Sequence, residues 1–181
     1  MSRNRREEKG LGRRKSSQMI QKENKPKHFA DRSKEKKKTF DRLIGELSRD
    51  PRCQQMKEFT QHGRVSTYDH CMSVARTSFQ IGRLLPFKMN ERELVRGAFL
   101  HDYYLYDWHH CDEKWHGFRH PRTAARNAKR DFSVSDREKN IIESHMWPLT
   151  IRTFPKSKEA VCVCLADKFC SLKETLLNRK K

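Results

Sequence analysis

From Thr39 onward, apolar positions recur every three or four residues, the spacing of helices with one buried face. Phe40, Leu43, Ile44 and Leu47 form the first stripe. Asp50-Pro51 predicts a second, short helix running to about His62-Gly63, with Pro at a tolerated first-turn position. Ser66 or Thr67 caps a third, which carries His70, Val74, Phe79, Ile81 and Leu84 and ends before Pro86. Asn90 caps a fourth, from Glu91 to Asp102, and a long polar and aromatic loop follows from Tyr103 to Arg119. Pro121 opens a helix through about Lys129, and Ser135 with Glu138 makes a capping box for one that ends near His145. Ser157 caps the last helix, Lys158 to Leu177, with Val161, Leu165, Phe169, Leu172 and Leu176 expected on its buried side. No period-two alternation is long enough for a strand, and no internal repeat is present. The expected fold class is all-α, a helical bundle.

The N-terminal stretch breaks this pattern. Residues 1–39 hold 15 Lys or Arg against 5 Asp or Glu, so ten of the eighteen net positive charges lie there. Few apolar residues accompany them, and burial cannot offset the entropy of ordering such a segment. The expected organisation is a disordered basic tail over residues 1–38 and a helical domain over 39–181. The tail could make a weak contact with nucleic acid or another polyanion. A solvated tail without a dedicated partner is the preferred reading, because basic runs are weak motifs. No aromatic precedes Phe29, so no base-stacking platform is visible.

Charge and cysteines set the compartment. Six cysteines are present and none forms a C-x-x-C pair. No apolar stretch follows Met1 as in a signal peptide, and the longest apolar run, Ala160 to Ala166, is too short to span a bilayer. A reduced, cytoplasmic protein with no membrane span is expected. Oligomeric state is left open.

Candidate chemistry lies in the order His…His-Asp…His…His…Asp. The residues are His70, His101, Asp102, His120, His145 and Asp167. Successive helical side chains diverge by about 100°, so His101 and Asp102 suit a position between two metals better than one shared face. Asp167 interrupts the apolar run Val161 to Ala166, where a carboxylate needs a partner such as a cation. Imidazole nitrogens with carboxylate oxygens suit one or two divalent metal ions: iron, manganese or another transition metal. Such an ion acidifies a bound water and neutralises charge on phosphoryl oxygens. His116 competes with His120, because both occupy the same stretch.

With Tyr68-Asp69-His70, Leu100-His101-Asp102 and Leu165-Ala166-Asp167-Lys168, the sequence resembles the HD superfamily of metal-dependent phosphohydrolases. His120 and His145 match the extra histidines of its dinuclear members. The resemblance spans about residues 60–176. It looks most like small bacterial HD proteins, including those that hydrolyse diadenosine tetraphosphate, and its ligand layout is similar to that of HD-GYP domains that hydrolyse cyclic di-GMP. Tyr103-Tyr104-Leu105-Tyr106 departs from the small residue and Lys common after His-Asp in those branches, and no GYP-type loop appears.

The resemblance implies an HD-domain helical bundle and a metal-dependent phosphohydrolase. The substrate class is a small phosphorylated molecule, a nucleotide-type phosphoester or phosphoanhydride, attacked by a metal-activated water. Asp102 is expected to bridge two metals and orient the nucleophile. His70, His101 and Asp167 would hold one ion, with His120 and His145 completing the other; Asp167 is alternatively the base. Lys168, Arg122 and Arg119 are candidate phosphate contacts. Tyr103, Tyr104, Tyr106, Trp108 and Trp115 could stack on a base or pack the loop. The rival function is a non-catalytic metal- or nucleotide-binding module that contacts nucleic acid through its tail. A di-iron oxygenase ranks below both.

Overall fold

The computed structural model describes residues 25–106 and 116–178. The chain divides into two units, Met1–Thr39 and Phe40–Lys181. Helix α1 spans Lys25–Arg49. Residues 25–38, read from composition as disordered tail, are therefore helical; Lys, Arg, Glu and Ala are good helix formers even where no apolar face exists. Residues 1–24 lie outside the described part, as do Trp108, His109, His110, Cys111 and Trp115.

Within the second unit, Phe40, Ile44 and Leu47 are buried, as their spacing predicts. Helix α2, Pro51–Gln54, starts at Asp50, whose carboxylate accepts the Arg52 amide at 2.9 Å. A 3-10 turn, Gln55–Glu58, continues it, and Phe59 turns extended. The helix expected to reach His62-Gly63 therefore stops early. In its place strands β1, Thr60–His62, and β2, Val65–Ser66, form an antiparallel hairpin with its register shifted between Thr60 and His62. Gly63 adopts φ 61°, the left-handed turn that glycine enters without steric cost.

Helix α3, Thr67–Leu84, is capped by Ser66, whose Oγ accepts the Asp69 amide at 3.1 Å. Helix α4, Glu91–Leu100, is capped by Asn90 and ends at His101. Its Leu94, Val95, Ala98, Phe99 and Leu100 are all buried, so α4 forms the centre of the core. Helix α5 runs His116–Phe132 with Pro121 inside it, rather than opening at Pro121. Pro121 is the sixth residue of this helix, past the amides that lack intrahelical acceptors, so its ring removes one backbone bond, the one to the Gly117 carbonyl. Helix α6, Asp136–Ser144, begins with the predicted Ser135–Glu138 capping box and ends at His145. Helix α7, Lys158–Asn178, is started by Ser157, whose Oγ accepts the Ala160 amide at 3.1 Å. Helix α3 packs on α4 and α7, and α6 packs on α4, α5 and α7.

The expected buried face of α7 is wrong. Val161, Leu165, Phe169, Leu172 and Leu176 are 46–60% exposed, while Ala160, Val163, Cys164, Ala166, Asp167 and Cys170 face inward. At about 100° per residue, Leu165 and Phe169 each lie some 200° from Asp167, so turning Asp167 inward turns the larger apolar residues out. Cys53, Cys71, Cys162, Cys164 and Cys170 are buried free thiols. No described helix is long and apolar enough to cross a membrane.

Candidate metal centre

Five elements deliver the polar residues of the core. His70 comes from the first turns of α3, His101 and Asp102 from the end of α4, His120 from α5, His145 from the end of α6 and Asp167 from the middle of α7. All six are buried, Asp167 least so at 7% exposed. The structure brings together all six residues named from sequence.

Their atoms form two groups that share Asp102. His70, His101 and Asp102 offer donor atoms close enough to hold one ion; Asp102, His120 and His145 do the same for another. The Asp102 carboxylate divides its oxygens between them. Its Oδ1 is 3.2 Å from His120 Nε2 and 3.4 Å from His145 Nε2. Its Oδ2 is 3.4 Å from His101 Nε2 and 4.0 Å from His70 Nε2. Asp167 Oδ1 joins the first group, 3.2 Å from His70 Nε2 and 3.7 Å from His101 Nε2.

Local backbone fixes which nitrogen faces inward. His101 Nδ1–H donates to the Ala98 carbonyl at 2.7 Å, and His145 Nδ1–H donates to the Ile142 carbonyl at 2.7 Å. A carbonyl can only accept, so both rings carry a proton on Nδ1 and aim Nε2 at the carboxylates. His70 follows the same rule with a different partner: its Nδ1–H donates to Glu174 Oε2 at 2.9 Å. A hydrogen bond on the outer nitrogen is how proteins orient imidazole ligands. His120 and His145 bring their Nε2 atoms to 2.9 Å of each other.

The electrostatics describe a site held together by protons that a cation would displace. Burial opposes charge on His70, but Asp167 and Glu174 outweigh it and push the ring up to about 10. Burial likewise opposes charge on His101, and the Asp102 charge holds it well above the ordinary imidazole value. Asp102 and Asp167 lie well below the ordinary carboxylate value: burial raises both, and the facing histidines outweigh it. His145 is the exception, driven down to about 3 mainly by burial, so it stays a neutral donor.

These residues fit a divalent cation. His101 Nε2 and Asp102 Oδ1 are buried without a hydrogen-bond partner. Orphaned buried polar atoms are costly, and a missing ion is one of the few explanations that removes the cost. The donor set, imidazole nitrogen with carboxylate oxygen, suits borderline transition metals.

Three supporting residues, Gln61, Tyr104 and Glu174, were not assigned to this site from sequence. Gln61 donates from Nε2 to Asp102 Oδ2 at 2.6 Å. Tyr104 in turn donates its hydroxyl to Gln61 Oε1. Gln61 reaches the site because the shifted register of the hairpin aims it inward, as β-bulges do. Glu174 was findable, because it lies two helical turns after Asp167 and so shares its face.

The candidate phosphate contacts are placed differently. Lys168 Nζ donates to the carbonyls of His145 and Cys164 at 3.1 and 3.3 Å. Arg119 and Arg122 are exposed on α5 and line a cavity of about 370 Å³ with Phe118, Leu149, Ile151 and Arg152. Arg122 lies about 200° around the helix from His120, so the two point to different sides. Tyr103 and Tyr104 are buried core residues rather than a stacking surface. The side chain of His116 lies outside the described residues.

No curated protein and no solved structure matches the chain. The family model described as HD domain matches residues 67–172, which contain all six clustered histidines and aspartates, while Gln61 and Glu174 lie outside that span. The chain belongs to the HD-domain family, whose members are generally metal-dependent hydrolases.

Proposed function

We propose that this chain is a metal-dependent phosphohydrolase acting on a nucleotide-type phosphoester or phosphoanhydride. The observation that carries this is the Asp102 carboxylate, whose two oxygens face separate histidine groups while Oδ1 stays without a hydrogen bond. His70, His101, Asp102 and Asp167 would hold one cation, and Asp102, His120 and His145 a second. Divalent cations there would acidify water near neutral pH and neutralise charge on phosphoryl oxygens. The ordering of the carboxylate is the work of Gln61, which fixes Oδ2 and leaves Oδ1 directed at His120 and His145. Asp167, 7% exposed and hydrogen-bonded by Ser171 at 3.3 Å, would serve as a ligand rather than as the base, because the facing histidines hold its carboxyl well below the ordinary carboxylate value.

The nucleotide part of the proposal rests on the resemblance of the motifs at His70, His101-Asp102 and Asp167 to HD proteins that hydrolyse dinucleoside polyphosphates and cyclic dinucleotides. The cavity beside α5, lined by Arg119, Arg122, Glu143 and Arg152, includes none of the six ligand candidates and carries no part of this reading.

The test is turnover of mononucleotides, dinucleoside polyphosphates and cyclic dinucleotides by the metal-loaded full chain, with elemental analysis of the same sample. The expected result is bound transition metal and phosphate release from at least one class. Asp102→Ala is expected to lose both metal and turnover. Full metal occupancy and activity in that variant would rule the scheme out.

A further inference from the structure

Helix α7 is apolar on both sides. Its inner face, with Asp167 and Glu174, belongs to the metal centre; its outer face carries Val161, Leu165, Phe169, Leu172, Leu176 and Leu177, each 46–60% exposed. Leu165, Phe169, Leu172 and Leu176 follow one another at steps of four, three and four, the a/d rhythm of a coiled-coil seam. A helix apolar all round is normally covered all round.

The surface beside this stripe is less charged than its sequence suggests. Lys168 turns its ammonium to the carbonyls of His145 and Cys164. Lys158 places its ammonium over the Phe87 ring, 5.6 Å from the centroid. Glu174 is engaged by His70. Lys173 remains exposed at the edge, where a polar rim residue belongs. An acidic helix or an anionic bilayer would be drawn by lysines displayed along the stripe, and two of the lysines are directed elsewhere. A neutral seam with heptad spacing is instead complementary to itself.

We propose that the outer face of α7 is the interface of a two-fold dimer of this chain. Six side chains exposed to this degree present on the order of 500 Å² of apolar surface. Doubled across a two-fold axis, that gives about 1,000 Å² before flanking side chains are counted, the size at which specific interfaces begin. The two copies meet through the same patch, Leu and Phe knobs of one helix entering the holes of the other. Each copy then clamps the helix that carries Asp167 and Glu174.

The experiment is sedimentation velocity on the metal-loaded full chain up to about 100 μM, far above a micromolar Kd. A dimer is expected, and its population rises with added salt, because two chains of net charge +18 repel each other at low ionic strength. Leu165→Glu/Leu172→Glu is expected to be monomeric, and Leu84→Glu, at a side chain 78% exposed on α3, is expected to remain dimeric. Should the double glutamate variant fail to fold, Leu165→Ala/Leu172→Ala is expected to raise the dimer Kd by at least about tenfold. A wild-type monomer at the highest concentration overturns the proposal, whether the stripe is bare, covered by residues 1–24, or bound to anionic vesicles. A dimer indifferent to both double variants overturns it equally.

Discussion

Glu174 accepts the Nδ1–H of His70 at 2.9 Å across 104 positions of sequence, and so aims Nε2 of that ring at Asp167 and Asp102. The other two rings held in this way use backbone carbonyls, which no substitution removes. Glu174 is thus the support of the centre most open to mutation. Glu174→Gln keeps the shape and loses the charge, and metal affinity is expected to fall about 10- to 100-fold. Titration with a chromogenic chelator competitor measures this; unchanged affinity would show that His70 needs no such partner.

Gln61 acts on the opposite side of the centre. Gln61→Leu takes the Nε2 donor from Asp102 Oδ2 and the Oε1 acceptor from the Tyr104 hydroxyl. A loss of stability of about 1–3 kcal/mol is expected from these lost buried bonds. If the phosphohydrolase reading holds, kcat falls with little change in KM, because Gln61 orients the carboxylate and does not touch substrate. Urea unfolding and steady-state kinetics on one preparation separate the two effects.

The proton content of the metal-free centre sets a pH dependence. His70 is raised from 6.5 to about 10, with burial opposing the charge and Asp167 and Glu174 outweighing it. Its contribution to stability is complete below pH about 6.5 and is lost as pH rises through about 10. Asp102 and Asp167 are lowered, so their contribution is present above the ordinary carboxylate value of 3.8 and is lost on acidification. The chelator-treated protein should therefore lose Tm between neutral pH and pH 10, and metal should abolish that loss by replacing the proton. Calorimetric titration should also record proton release on metal binding. A metal-free Tm that is flat over the alkaline range would contradict this balance.

Gly97 tests the packing that delivers His101. A Cβ at this position would stand 2.9 Å from Ile141 Cδ1 and Cγ2, where α4 crosses α6. Those atoms are fully buried and have little room to yield. Gly97→Ala is expected to cost about 1–3 kcal/mol through overpacking. Gly97→Ala/Ile141→Val should recover part of it, as thermal unfolding of the two variants will show.

The sequence by itself determined the helical class, the caps at Asn90, Ser135 and Ser157, and the six clustered ligand candidates, with Ser66 or Thr67 left open as the cap of α3 and His116 left competing with His120. These are local facts: a cap needs a side chain within one turn, and a buried His or Asp in an apolar run declares that it needs a partner. Hairpin 60–66 was not legible, because two strands this short show no alternation, and with it went Gln61, whose role exists only after the hairpin docks beside Asp102. The start of α5 was misread because Pro121 signals a boundary and tolerates a position a turn further in. On α7 both faces are apolar, so periodicity alone could not choose between them. Asp167 and the Leu165–Phe169 stripe cannot both point inward on one helix, and only the docking of Asp167 among His70 and His101 decided the rotation. Tertiary structure alone also settled the division of Asp102 between two histidine groups, because that depends on where five separate elements meet, and no spacing along the chain encodes a distance between them.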